Sequence, residues 1–477
     1  MTTGAPIYNA MQQYAAENNL RLHMPGHVGG RGLPEQFREL ARLDLTEVPG
    51  LDDLHAPVGA IARARELLAV AYGAGESFFL VNGASSGIHA LFLSLPEEAV
   101  VVVPRNAHHS FFGGMVLSGA RPVYLPVQLH PELGTALAVT DRDLAEVLAA
   151  QPRVDAVFVT SPSYYGTTCR LAELADLTHH KGALFYVDEA HGGHFPFHPA
   201  FPCPALRSGA DAAVNGLHKT LPVLNQGGCL HLKQPGSPGD PVGMAYSLLT
   251  TTSPSYPILA SIDLARQLMM EQGCKLLEKA GSLAARYRDK INDISGLHCY
   301  TEEEMRMIPG VDGMDPLKLL ISVRGLSIDG HATAVRLRKG YGVQVEAQDA
   351  GAILTMMSIL HQEDEWEKLY QALRHMTAGF TGSKPKSSPV EIPPQARVVL
   401  TPRQAFYAGK IRVPLAQAVD RIAGEMVAAY PPGIPCLLPG EIITEKIYDY
   451  LCYLKNSPIR LQGPSQPGLE TILVVQS

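Results

Sequence analysis

The segment Val187-Asp188-Glu189-Ala190-His191 is followed further along the chain by Leu217-His218-Lys219-Thr220. Asp188 ends the apolar run Ala183-Leu184-Phe185-Tyr186-Val187, which reads as a buried parallel strand. That places Asp188 at a strand's carboxyl end, where open α/β sheets bind ligands. A carboxylate there can hold a pyridine nitrogen protonated, and a lysine can carry an aldehyde as a Schiff base. Pyridoxal phosphate chemistry needs both: a charge that makes the ring an electron sink and an amine that binds it covalently. Taken alone, the same residues also read as a helix-capping aspartate and a surface lysine.

The elements that must position this pair alternate. Helices are expected over 61–72, from Asn82-Gly83-Ala84-Ser85-Ser86-Gly87 to 95, near 109–118, over 141–150 and over 171–181. Strands are expected over 77–81, 99–103, 122–125, 156–160 and 183–187. Apolar strands alternating with helices imply an α/β fold with a mostly parallel sheet covered on both faces. The turn at Asn82 to Gly87 opens a helix, and backbone N–H groups there, with the hydroxyls of Ser85 and Ser86, suit a phosphate. Serine is also a common helix cap, which is the plainer reading. In Pro104-Arg105-Asn106-Ala107-His108-His109-Ser110 an imidazole is placed to stack on a ring, or the two histidines are a surface or capping pair. His191, His194 and His198 do not read as a metal site. Gly192, Gly193 and Pro196 break the helix that would align them, so no metal is expected.

A chain of 477 residues, 46% hydrophobic and 18% charged, is long enough for two or more domains. Its net charge of −7 argues against nucleic acid as the main partner. Seven cysteines are widely spaced with no Cys-x-x-Cys, so neither a disulfide framework nor a zinc ribbon is indicated. No signal peptide or membrane-length apolar run is visible, and a cytoplasmic location is expected. Four segments are expected: an arm with polar loops (1–56), a large domain (57–290), a small α+β domain (291–380) and a C-terminal module (381–477). A long helical region is expected over 258–294. Thr381-Gly382-Ser383-Lys384-Pro385-Lys386-Ser387-Ser388-Pro389 is the linker candidate.

Several motifs occur in order along almost the whole chain. They are His23-Met24-Pro25-Gly26-His27, Thr46-Glu47-Val48-Pro49-Gly50-Leu51-Asp52-Asp53, Asn82-Gly83, Asp188-Glu189-Ala190-His191-Gly192 and His218-Lys219. Thr252-Ser253-Pro254-Ser255-Tyr256-Pro257, Tyr430-Pro431-Pro432-Gly433-Ile434-Pro435 and Pro439-Gly440-Glu441 complete the series. In these the chain resembles the Orn/Lys/Arg decarboxylase family, in its short form without an N-terminal receiver-like domain. The resemblance implies the aspartate aminotransferase type of fold (fold type I) with smaller α+β C-terminal domains, pyridoxal 5′-phosphate, and decarboxylation of a basic amino acid.

It also implies roles. Lys219 is the Schiff-base lysine and Asp188 the partner of the pyridine nitrogen. His108 stacks on the ring, with Ala190 on its opposite face. Ala84, Ser85 and Ser86 form the phosphate turn, and His191 and His218 lie at the cofactor. Thr251 or Thr252 reaches a neighbouring subunit's site, which makes the enzyme a homodimer or a larger homo-oligomer. Three departures are Val28 for a usual Lys, Ala84 for a usual Thr, and Gly216 for a usual Ser; the last two remove hydroxyls from the phosphate site.

Arginine or lysine is the favoured substrate, with ornithine a further candidate. A buried cation needs a counter-charge, so the distal pocket should hold a carboxylate. Glu441 is the first candidate, with Glu346 and Asp349 behind it. Glu441 reads equally as a cap for a helix beginning near Thr444. Two competing readings remain. An aminotransferase or carbon–sulfur lyase would grip the α-carboxylate with Arg324 or Arg403. A catalytically silent homologue would act by binding alone.

Overall fold

The computed structural model describes residues 4–237, 239–380, 382, 396–430, 434–457 and 460–476. Two compact units are each assembled from two stretches of chain. One comprises Met1–Ser94 with Phe185–Lys279, the other Leu95–Leu184 with Ala280–Ser477. The linker candidate lies outside the described residues except for Gly382.

In the first unit the strands run in the order Glu76–Leu80, Gly228–Leu232, Ala212–Asn215, Leu184–Asp188. Ala212–Asn215 and Leu184–Asp188 are parallel, with Asp188 opposite Val214. Gly228–Leu232 is antiparallel to both of its neighbours. Phe185 and Val187 are wholly buried and Tyr186 nearly so. Each such side chain contributes about 1.5–3 kcal/mol, which fixes the strand that Asp188 ends. The helix Gly83–Leu93 packs closely on these strands through Gly87. A Cβ there would lie 2.8 Å from Leu80 and 3.0 Å from Val214.

In the second unit Ala156–Thr160, Val100–Pro104 and Arg121–Leu125 are parallel throughout. The strand Val100–Pro104 leads into the helix His109–Ser118. An antiparallel sheet of His298–Cys299, Lys318–Ser322, Ala352–Met356 and Ala347–Gln348 follows, with the helices Gly330–Tyr341 and Glu363–Thr377. The C-terminal stretch has an apolar core of its own, including Val427, Leu437, Ile443, Ile447, Leu451 and Ile472.

The long helix runs Tyr256–Asn292. Among the described residues no helix is long and apolar enough to cross a membrane.

Candidate active site

Because their strands are parallel neighbours, Asp188 and the turn Leu217–Lys219 lie at the same edge of the first unit's sheet. Asp188 is 5% exposed, and its Oδ1 accepts the Ala190 N–H at 3.1 Å. Burial raises its pKa above the ordinary carboxylate value, opposed by the Lys219 charge and the Ala190 N–H. A carboxylate so removed from water is stabilised by a cation placed against it.

Lys219 Nζ lies 3.2 Å from His191 Nε2. The Lys219 side chain also presses on Gly216. A Cβ there would sit 3.3 Å from the lysine's Cδ and Cε and 3.1 Å from the Ala190 carbonyl oxygen. Glycine at this position leaves the lysine room to lie against the strand end.

Two residues that the sequence reading passed over lock the two strand ends together. The Asn215 amide donates to the Glu189 carbonyl oxygen at 2.9 Å and to its Oε2 at 3.1 Å. Glu189 Oε1 accepts the Ala205 N–H at 2.8 Å. Burial pushes the Glu189 pKa up to about 8, so it is largely protonated at neutral pH. Its neighbour Asp188 therefore does not sit beside a second full negative charge. Glu189's place directly after Asp188 was the available signal, but its partners are not local.

The helix Gly83–Leu93 begins at Asn82, whose side chain makes no cap bond. Its first-turn N–H groups thus lack a side-chain acceptor, as an anion site requires. The serines do not cap it: Ser86 Oγ donates to the Gly83 carbonyl at 2.8 Å, leaving its lone pairs, while Ser85 and Ala84 are half-buried. Gly83 adopts φ +74°, and its N–H donates to Gln226 O at 2.8 Å. Next to Gln226, the Gly227 carbonyl accepts the His218 N–H at 3.1 Å and faces His218 Nδ1 at 3.0 Å. A carbonyl only accepts, so Nδ1 carries the proton and Nε2 is left for another partner. Ala84, Ser85, Ser86 and His218 are thus gathered through the 226–228 turn, and Ala190 and His191 join Asp188 and Lys219. Thr252 is exposed, and the Thr251 carbonyl is 3.0 Å from His55 Nε2.

His108 belongs to the second unit. It is the N-cap of His109–Ser118 and is exposed; its Nδ1 accepts the Ser110 N–H at 3.3 Å and lies 2.9 Å from Ser110 Oγ. The capping alternative therefore describes its local geometry.

Glu441 is not available to a substrate cation. It is 1% exposed, and both carboxylate oxygens are taken by the Arg105 guanidinium. Its Oε2 also accepts the Leu438 N–H at 2.7 Å. Nor does it cap the following helix; Thr444 does, accepting from the Ile447 N–H. Arg105 is the partner that the sequence did not reveal, since the two are 336 residues apart. Of the reserve candidates, Asp349 is buried and accepts the Gly351 and Ala352 N–H groups at 2.7 Å each, while Glu346 accepts the Tyr164 hydroxyl at 2.7 Å. Arg324 donates to the Glu132 carbonyl at 2.6 Å, and Arg403 to those of Val116 and Leu117. Among the described residues no three His, Cys, Asp or Glu side chains are grouped to hold a metal ion.

The family model for the major domain of Orn/Lys/Arg decarboxylase matches residues 5–364, and that for its C-terminal domain matches 392–472. The chain is 35% identical to the arginine decarboxylase of Bacillus anthracis, over 99% of this chain and 97% of that protein. It is 36% identical to the arginine decarboxylase of Halalkalibacterium halodurans, with the same coverage. Among solved structures, the lysine decarboxylase of Francisella novicida superposes with a TM-score of 0.84 at 20% identity, over 99% of this chain and 81% of that one. That likeness bears on the fold. Both family models together span nearly the full length, and the chain belongs to the Orn/Lys/Arg decarboxylase family.

Proposed function

We propose that this chain decarboxylates a basic amino acid with pyridoxal 5′-phosphate: arginine first, then lysine, with ornithine a further candidate. The observation that carries the reading is the joint placement of Asp188 and Lys219 beyond adjacent parallel strands. It sits in a chain 35–36% identical over its length to two arginine decarboxylases.

The residues fit the cofactor. The buried Asp188 carboxylate calls for a cation, the Gly83–Leu93 helix offers N–H groups without a side-chain cap, and Lys219 supplies the amine. Bound pyridoxal phosphate supplies a ring that accepts the electron pair released when the carboxylate leaves. Asp188 would hold a proton at the pyridine nitrogen, its buried carboxylate being little screened by water. Lys219 would hold the cofactor covalently through its amine, the aldehyde oxygen leaving as water, and His191 Nε2 would orient that amine. Ser85, Ser86, the N–H groups from Ala84 onward and His218 Nε2 would hold the phosphate. The family resemblance assigns Ala190 to one face of the ring and His108 to the other. Thr252 completes the site of a partner subunit in a homodimer or larger homo-oligomer. A cytoplasmic location is part of the proposal.

The aminotransferase reading is weakened by Arg324 and Arg403, each already bonded to main-chain carbonyls. Carbon dioxide release from a panel of arginine, lysine, ornithine and neutral amino acids, with the products identified, tests the proposal. A decarboxylated amine from a basic substrate is expected. A keto acid without carbon dioxide would refute it.

A further inference from the structure

The helix His109–Ser118 is intrinsically weak. It has ten residues, with Gly113 and Gly114 at its middle. Glycine is the poorest helix former after proline, and so short a segment does not hold itself in water. Its ends must be fixed from outside, and the C-terminal module grips both.

On the approach to the helix, Arg105 makes a two-pronged ion pair with Glu441, donates from Nε to the Pro435 carbonyl at 2.9 Å, and stacks over Tyr124 at 4.6 Å. Glu441 is pre-set for this by the Leu438 N–H. At the far end, Arg403 donates to the carbonyls of Val116 and Leu117, acceptors that lack a partner within the last turn. Its cation also complements the negative end of the helix dipole. Gly119 closes the helix at φ +78°, and a Cβ there would meet Arg403 Nη1 at 3.1 Å. Between the two grips, the helix Pro402–Tyr407 packs along His109–Ser118.

His108 rides on this arrangement. Its ring is held at the helix start by the Ser110 N–H and lies beside the Ser110 hydroxyl, so a shift of the helix turns the imidazole. We infer that the C-terminal module is a positioning clamp for His108, with Glu441 (through Arg105) and Arg403 as its two jaws. This rests on the reading above that His108 faces the cofactor ring. Glu441 is then a positioning residue for the reaction and not a substrate ligand.

The test is a double-mutant cycle on the cofactor-loaded enzyme. Arg403→Ala and Glu441→Gln are each measured alone and in a His108→Ala background, with kcat, KM and the visible absorption of bound cofactor as readouts. Each single variant is expected to lower kcat about tenfold, change KM less than twofold and shift the absorption band. In the His108→Ala background neither should lower kcat further by more than about twofold. Arg403→Lys, which keeps one donor and the charge, should recover part of the loss. If Glu441→Gln does not fold, Arg403→Ala decides the matter alone. Full losses persisting in the His108→Ala background, or unchanged kcat in folded Arg403→Ala, overturn the clamp. Unchanged kcat in His108→Ala itself overturns the His108 assignment and the clamp together. Carbon dioxide release by that variant would leave the decarboxylase reading standing.

Discussion

Lys219 Nζ and His191 Nε2 lie 3.2 Å apart on turns that follow neighbouring parallel strands. Each residue therefore sets where the other's nitrogen points. Replacing His191 with Ala removes one partner of the amine and should reduce kcat roughly tenfold, since a hydrogen bond to a charged group is worth about 1.5–3 kcal/mol. Steady-state kinetics at saturating cofactor checks this; full activity would mean the contact is incidental.

Asp188→Asn keeps the shape of the side chain and removes its charge. The cofactor should still attach, while kcat falls roughly 10²–10³-fold, the scale of losing one preorganised electrostatic contact. Retention of most of kcat in a fully loaded Asp188→Asn enzyme would discard the electron-sink role.

Glu189 links the site to stability. Folded, it keeps its proton up to about pH 8, whereas its ordinary value is 4.5. Between those values folding takes up a proton, so stability falls as pH rises, by at most about 1.4 kcal/mol per pH unit. His231 acts the other way: burial lowers its pKa from 6.5 to about 3, so its contribution is lost as pH drops below the ordinary value. The two oppose each other at acid pH, and Glu189 is free of that opposition from about 6.5 to 8. Glu189→Gln should flatten the fall in that window. Urea unfolding of both proteins at several pH values measures it, and parallel curves would exclude the effect.

The buried Arg105–Glu441 pair makes a separate prediction about folding. Glu441→Gln leaves a guanidinium that is 6% exposed without its counter-charge, which should cost about 3–5 kcal/mol. Replacing both residues with Met removes the stranded charge, so the double variant should be more stable than the single one. Denaturation midpoints compare them; equal losses would show that packing, not charge, governs the contact.

Parts of this architecture were legible in the sequence for local reasons. The helix Asp141–Ala150 matches its expected bounds because Thr140 caps it through the Asp143 N–H, a signal carried by adjacent residues. Asp188 was legible because an apolar run ends there, and Lys219 because a His-Lys pair follows downstream; the strand Ala212–Asn215 that carries the pair was not expected. Gly228–Leu232 was not, since His231 interrupts its apolar run, and side-chain pattern does not encode a strand's direction. Glu441 reads from the sequence as a substrate carboxylate or a helix cap, because its ion-pair partner cannot be seen there. Its turn motif is local, whereas the guanidinium that occupies it is supplied from 336 residues away. Glu189 was overlooked for the same reason, its partners being Asn215 and the Ala205 N–H.

Gly216 permits a constructive change. Its φ of −91° allows a side chain, but a Cβ would sit 3.1 Å from the Ala190 carbonyl oxygen and 3.3 Å from the Lys219 methylenes, so both must give slightly for a serine to fit. Gly216→Ser should add a hydroxyl to the proposed phosphate site and, if those neighbours yield, tighten cofactor binding roughly threefold to tenfold, as a charge-assisted hydrogen bond would. Cofactor titration followed by absorbance measures it. Weaker binding would mean that crowding of Lys219 dominates.

Everything proposed for the reaction depends on Lys219 carrying the cofactor. Borohydride reduction of the pyridoxal phosphate-loaded protein, followed by peptide mapping, reads this directly. A pyridoxyl label is expected on Lys219 in the wild type and none in Lys219→Ala. Stoichiometric label on any other lysine, or unchanged labelling of Lys219→Ala, would contradict it.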